Sequence, residues 1–331
     1  MANFTFKDIV GQEMIKEQLQ GAIANNKVSH AYIINGENRS GKEFIAKIFA
    51  QTLLCEKGET DPCCECPSCQ KAMSGNHHDI IFVSHEKPNT IGVDDIRDGI
   101  NDTVFIKPYS SNYKIYIIQE AEKMTPQAQN ALLKTIEEPP EYGIVIIITS
   151  QPEKLLPTIR SRCVMVLTKP VKEKDIHDYL VSKYSVSEDK ATFAIEYAQG
   201  NLGKAILLAS NENYEKLVQS VIDLESNLFD MELEDISYTI QQCENYQVHI
   251  QDYLDLMMMW YRDILVLKVT GNPDKILFKK HYSVIREQAN YLSFNELEAK
   301  SKAITVAKER IEAKAKLEDI MRLLIMTLKE V

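Results

Sequence analysis

The sequence predicts an α/β domain of three layers, a parallel sheet between helices, followed by an all-helical region. Three observations predict it. Short apolar runs at residues 31–34, 80–83, 114–118 and 143–149 alternate with stretches of helical periodicity, the pattern of a doubly wound parallel sheet. The first run enters a glycine-bracketed loop and then a helix, through Gly36-Glu37-Asn38-Arg39-Ser40-Gly41-Lys42, which is the context a phosphate-binding loop requires. Beyond residue 209, glycine and proline nearly vanish and the apolar spacing stays helical.

The 331 residues are 44% hydrophobic, enough to bury the cores of two or three domains. A formal net charge of −10 disfavours coating of nucleic acid by a basic surface, and leaves room for a local basic track. The most continuous apolar run, Ile144–Ile148, is too short to span a bilayer, and the first ten residues lack a basic stretch followed by an apolar core. A cytoplasmic protein with no membrane partner is expected.

The chain opens with Phe6–Glu13 and a helix carrying Met14, Ile15, Leu19, Ala22 and Ile23 on one face. In the loop that follows the first strand, Gly36, Ser40, Gly41 and Lys42 are the candidate phosphate-binding residues. Backbone N–H groups and a helix N-terminus form an anion cradle there, and the lysine adds a point charge. A working loop places Ser or Thr next, so that a hydroxyl holds Mg2+; here that position is Glu43, a carboxylate that repels phosphate.

Five of the seven cysteines fall between Cys55 and Cys69, in a chain that otherwise reads as intracellular, so a metal site is favoured over disulfides. Cys55, Cys63, Cys66 and Cys69 have the spacing of a zinc site: two-residue gaps let tight turns aim successive thiolates at one point, and four cysteines make the site structural. Cys64 stands beside Cys63 and can exchange with it.

Ile80–Val83 reads as a second buried strand, and Ile91–Asp98 opens a helix with acidic residues in its first turn. The third strand, Lys114–Ile118, ends in Gln119-Glu120. A P-loop enzyme ends this strand in Asp-Glu, the Asp serving Mg2+ and the Glu the attacking water. Gln119 therefore replaces a metal group, while Glu120 could polarise water or simply be solvated. A helix over 128–138 is stopped by Pro139-Pro140. Gly143–Thr149 is the natural central strand, with Thr149 and Ser150 at the same edge as the phosphate loop. Leu156–Cys163 leads to a short strand at 164–167.

Lys169-Pro170 marks a boundary, and the expected domains are 1–168, 169–208 and 209–331. Residues 172–208 fit two or three short helices broken at Gly200 and Gly203. Leu254, Met257, Met258, Tyr261 and Leu265 form a helical core stripe ended by Gly271-Asn272-Pro273, and residues 304–330 read as one amphipathic helix.

Phe6–Glu13, the phosphate loop, the four-cysteine insert, the Leu-Leu-Lys-Thr-Ile-Glu-Glu-Pro-Pro stretch ending at Pro140, and Ser161-Arg162-Cys163 together resemble the bacterial clamp-loader subunits of DNA polymerase III, which belong to the AAA+ group. The resemblance is strong over 1–208 and architectural beyond. It implies a P-loop domain with a zinc insert, a small helical lid and a helical oligomerisation collar.

Motor subunits of that family, gamma and tau, carry the Ser or Thr, the Asp-Glu and an arginine in a Gly-x-Leu-Arg segment. This chain has Glu43, Gln119, and Gly203 followed by Lys204, a pattern similar to the non-hydrolysing delta-prime branch. The resemblance then implies a stator that supplies Arg162 as an arginine finger to a neighbour's ATP. Its partners would be gamma/tau and delta subunits in a hetero-pentamer, with a sliding clamp and primed DNA reached through the complex. Structural Zn2+ is the implied cofactor, and hydrolysis of Mg2+-ATP by this chain is not implied. Arg97 and Lys107 are candidates for tracking DNA. The alternative is a gamma/tau-like motor that uses Lys42 and Glu120.

Overall fold

The computed structural model describes residues 4–84, 87, 89–245, 250–313 and 315–330. Five strands form one wholly parallel sheet: β1 (Ala31–Asn35), β2 (Ile80–Phe82), β3 (Lys114–Ile118), β4 (Gly143–Thr149) and β5 (Val164–Leu167), in the spatial order β2-β3-β4-β1-β5. Registers such as Ile34 opposite Ile148 and Ile34 opposite Val166 put the C-terminal ends of β1, β4 and β5 at one edge. The helices that wrap the sheet are α1 (Glu13–Ala24), α2 (Lys42–Leu53), α3 (Pro67–Met73), α4 (Val93–Ile96), α5 (Pro126–Glu137) and α6 (Pro157–Arg160).

Strand alternation sorts the apolar side chains into two cores, one on each face. Tyr32, Ile34, Ile115, Ile117, Ile144 and Ile146 meet Leu19, Ile45 and Phe49 of α1 and α2. Ile33, Tyr116, Ile118, Val145 and Ile147 meet Ile96, Leu132 and Ile159 of α4, α5 and α6. The expected three-layer α/β/α domain is thus present. Two details differ from the sequence reading. Met14 is 66% exposed, so the buried stripe of α1 rests on Ile15 and Leu19. β2 is an edge strand with Phe82 37% exposed, because only β3 covers it; Val83 beyond its end is buried.

After β5 come α7 (Glu173–Tyr184), α8 (Glu188–Ala198) and α9 (Leu202–Ser210). Gly203 lies inside α9 and is not a break. The remaining helices are α10 (Glu212–Asn227), α11 (Leu233–Asn245), α12 (Ile250–Thr270), α13 (Tyr282–Tyr291), α14 (Phe294–Glu312) and α15 (Leu317–Glu330). The chain divides into two compact units, 1–185 with 198–206, and 186–197 with 207–331.

In the second unit α12 is the hub, with Tyr253, Leu254, Leu256, Met257, Trp260 and Ile264 fully buried. Leu254, Met257 and Tyr261 of the anticipated stripe are core, whereas Leu265 is 41% exposed. Asp263 turns the chain after α12: its Oδ2 accepts the N–H groups of Leu277 and Phe278 at 2.6 and 2.8 Å. Trp260 Nε1 donates to Gln288, which in turn donates to the Glu225 carbonyl, each at 2.8 Å. Residues 304–330 are two helices, α14 and α15, and not one. No glycine or proline marks the bend, but folding back lets Ile320, Met321, Leu324, Ile325 and Leu328 become buried, which a continuous rod would leave in water.

Candidate functional site

The insert after α2 brings Cys55, Cys63, Cys66 and Cys69 together. Their sulfurs all lie within 4.8 Å of one another, and Cys63 and Cys69 are 3.9 Å apart. A tetrahedral zinc thiolate site with bonds near 2.3 Å needs sulfurs roughly 3.8 Å apart. Backbone N–H groups point at the sulfurs: Cys63 N donates to Cys55 Sγ at 3.5 Å, Cys66 N to Cys63 Sγ and Cys69 N to Cys66 Sγ at 3.4 Å. Such donors favour thiolate. Burial alone would push the Cys63 thiol up; the N–H groups of Glu65 and Cys66 and the thiols of Cys55 and Cys66 outweigh it and bring its pKa down to about 6. The set fits a closed, structural metal site.

Cys64 is left-handed, with φ 59°, and that backbone turn sends its side chain away from the other four. Its Sγ meets Gln51 Nε2, Phe4 O and Pro62 O, each at 3.6 Å, and Cys63 is the member of the set. The same loop holds the chain's opening segment: Asp61 Oδ1 accepts Phe6 N–H at 2.8 Å, and Gln20 Nε2 donates to Thr60 O at 3.1 Å.

The phosphate loop sits between β1 and α2, and Gly41, at φ 85°, caps the helix. Gly36 has no room for a side chain, since a Cβ would stand 1.7 Å from Thr168 Oγ1. Ser40 Oγ and Thr168 Oγ1 are hydrogen-bonded at 3.0 Å. Lys42 is buried, and its Nζ donates to Gly36 O and Glu37 O, both at 2.6 Å. Burial pushes the ammonium pKa down, while the Glu122 and Glu37 carboxylates oppose the shift. Glu43 points outward and pairs with Lys47 one turn on, at 2.5 Å.

Glu120, the candidate water-polarising group, is exposed and pairs with Lys123 at 2.7 Å. Its left-handed backbone, φ 48°, turns Glu122 inward instead. Glu122 accepts from Thr149 Oγ1 and Ser150 Oγ, each at 2.7 Å. Burial would raise its pKa, but these hydroxyls hold it below the usual value. Glu122 is therefore the half-buried carboxylate beside the loop, and the spacing of the sequence did not single it out.

A second contact unforeseen from sequence closes the loop from the side of α9. Asn201, 4% exposed, donates to Asn38 O at 2.8 Å and Glu37 Oε2 at 3.2 Å. Gly203 lies so close that a Cβ there would be 2.2 Å from the Arg39 carbonyl oxygen. The position at which the resemblance calls for arginine thus has no space for any side chain.

Arg162 follows α6. Ser161 Oγ and Arg162 Nη1 both donate to Thr158 O, at 3.1 and 3.0 Å, and Arg162 Nη2 pairs with Glu137 Oε1 at 2.9 Å. Cys163 packs beneath, against the core that holds Leu133 and Leu156, and burial pushes its thiol up to about 12. The triplet thus works as an anchor, Cys163, that leaves Arg162 at the surface. Arg97 is exposed and pairs with Asp94 at 3.3 Å; Lys107 is exposed as well. Among the described residues no helix is long and apolar enough to cross a membrane.

A parallel five-stranded sheet with a P-loop between β1 and α2 and a helical region after β5 defines the AAA+ class of P-loop protein. Residues 11–172 match the family model described as DNA polymerase III, delta subunit. The chain is 28% identical to DNA polymerase III subunit delta' of Bacillus subtilis (strain 168), over 96% of each chain. It is 46% identical to subunit tau of the same organism over 159 residues, which cover 48% of this chain and 28% of tau. A gamma subunit-related protein of Thermotoga maritima superposes with a TM-score of 0.47 at 18% identity, over 97% of this chain and 99% of the other. The chain is thus related to the DNA polymerase III clamp-loader subunits delta' and gamma/tau.

Proposed function

We propose that this chain is a non-hydrolysing, delta-prime-like stator of the clamp loader, which lends Arg162 to the ATP site of an adjacent gamma/tau-type subunit. One observation carries the reading: all three positions at which a motor would hold magnesium or phosphate are spent otherwise. Glu43 is tied to Lys47, Gln119 cannot serve as an anionic metal group, and Gly203 is pressed against the phosphate loop. Lys42 is satisfied by its own loop. Arg162 supports the reading because it is surface-exposed, always charged, and adjoins a half-buried anchor, Cys163.

In this reading residues 1–168 are the P-loop-like domain, 169–208 the lid and 209–331 the collar. Zn2+ held by Cys55, Cys63, Cys66 and Cys69 stabilises the first of these and performs no chemistry. The collar packs against partner helices through exposed apolar side chains such as Leu265, Val269, Phe294 and Leu323. Gamma/tau and delta subunits are the partners, and the assembly places a sliding clamp on primed DNA in the cytoplasm. Arg97 and Lys107 are available to DNA phosphates.

The test is reconstitution with gamma/tau-type and delta-type subunits, clamp and primed DNA. Arg162→Ala should slow hydrolysis at the adjacent site by roughly 10^3-fold or more and abolish clamp loading. Unchanged turnover would remove the finger. The isolated chain should not turn over Mg2+-ATP, and turnover that depended on Lys42 would make it a motor instead.

A further inference from the structure

We propose that Glu137 is a positioning residue for Arg162, fixing the guanidinium at the rim in the orientation in which it is offered to a neighbour's phosphate. The inference rests on the finger reading above and adds a second residue to it.

Glu137 is the last residue of α5, and Glu138 caps it before Pro139-Pro140. Two carboxylates at the negative end of a helix oppose its dipole. A breach of a local rule at an exposed position calls for a compensating use. That compensation is Arg162, whose Nη2 reaches Glu137 Oε1 at 2.9 Å. The opposite terminal nitrogen, Nη1, donates to Thr158 O at 3.0 Å. A planar fork held at both terminal nitrogens has its plane fixed, and three of its five N–H groups remain for another acceptor.

The two anchors come from different elements, α5 and α6, and both elements are seated on the same core by Leu132 and Ile159. The guanidinium is therefore referenced to the sheet and not to a loose loop. Both partners are exposed, at 42% and 45% for the side chains, so the pair adds little to folding. Its effect is to remove rotamer freedom from a long side chain before a partner arrives, which is preorganisation.

In the reconstituted complex, Glu137→Ala should lower the kcat of the adjacent site by about two- to fivefold, the worth of an exposed ion pair, with the KM for ATP unchanged. Glu137→Gln keeps an acceptor without the charge and should fall between Ala and wild type. Adding Glu137→Ala to Arg162→Ala should have no further effect. The unfolding midpoint of the Ala variant should stay level or rise, since a charge opposing the helix dipole is removed, so a merely structural role predicts the opposite trend.

If Arg162→Ala is impaired and Glu137→Ala matches wild type or exceeds it, the positioning role is wrong while the finger stands. A further loss in the double variant also overturns it. If Arg162→Ala matches wild type, the finger reading itself fails.

Discussion

The cysteine knuckle and the phosphate loop lie at either end of α2, and they have met opposite fates. The knuckle keeps every group its chemistry needs, four sulfurs within 4.8 Å of one another and a fan of N–H donors. The loop keeps its backbone shape but has filled its own cradle. Lys42 bonds to Gly36 and Glu37 carbonyls, Glu122 to Thr149 and Ser150, and Asn201 to Asn38. A closed structural metal site serves folding itself, so losing a ligand is costly whatever the protein does. A phosphate cradle serves a nucleotide, and in the stator reading proposed above its polar groups are free to be satisfied internally, as buried polar groups must be.

The contrast is broken most forcefully by removing the metal. Chelation, or Cys69→Ser, should leave a chain destabilised by more than about 5 kcal/mol in urea titrations. Metal analysis should find one zinc per chain in the wild type and also in Cys64→Ser. Zinc lost with Cys64 would reassign the ligand set. On the other side of the comparison, Gly203→Ala should cost about 1–3 kcal/mol by overpacking, read as a lowered urea midpoint, because the Arg39 carbonyl occupies the space. A neutral outcome would mean that α9 is not seated on the loop.

The smallest effect concerns acid. The folded Glu122 carboxyl lies below its ordinary value of 4.5, so its contribution is present above that pH and is lost as pH falls through the folded value. Glu122→Gln should therefore flatten the acid limb of stability below about pH 4.5, read as a smaller loss of urea midpoint on acidification. An unaltered acid limb would detach Glu122 from the loop's stability.

Features written in local spacing were legible from the chain: the strand-loop-helix around Lys42, the Cys-x2-Cys gaps, and the prolines that stop α5. Spacing favoured Cys63, which gives two equal Cys-x2-Cys gaps, but left exchange with Cys64 open, and a single left-handed residue, Cys64, separates them. Features made by distant segments were not legible. Strand order alone puts β2 at the edge and Phe82 in solvent, and no residue of β2 announces it. Asn201 and Gly203 meet the phosphate loop across more than 160 positions, and the α14–α15 bend lacks any breaker because burial of α15, not local propensity, imposes it. Glu122 was masked by Glu120, two positions nearer the strand and more obviously placed.

The anchoring of Phe4 and Phe6 by the 60–64 loop ties this amino-terminal segment to whether the four thiolates are gathered. Metal occupancy should then be readable at a distance. A protease that attacks the amino-terminal segment would trim the chelated form first, and the ends of its fragments would report the ion without any probe of the sulfurs.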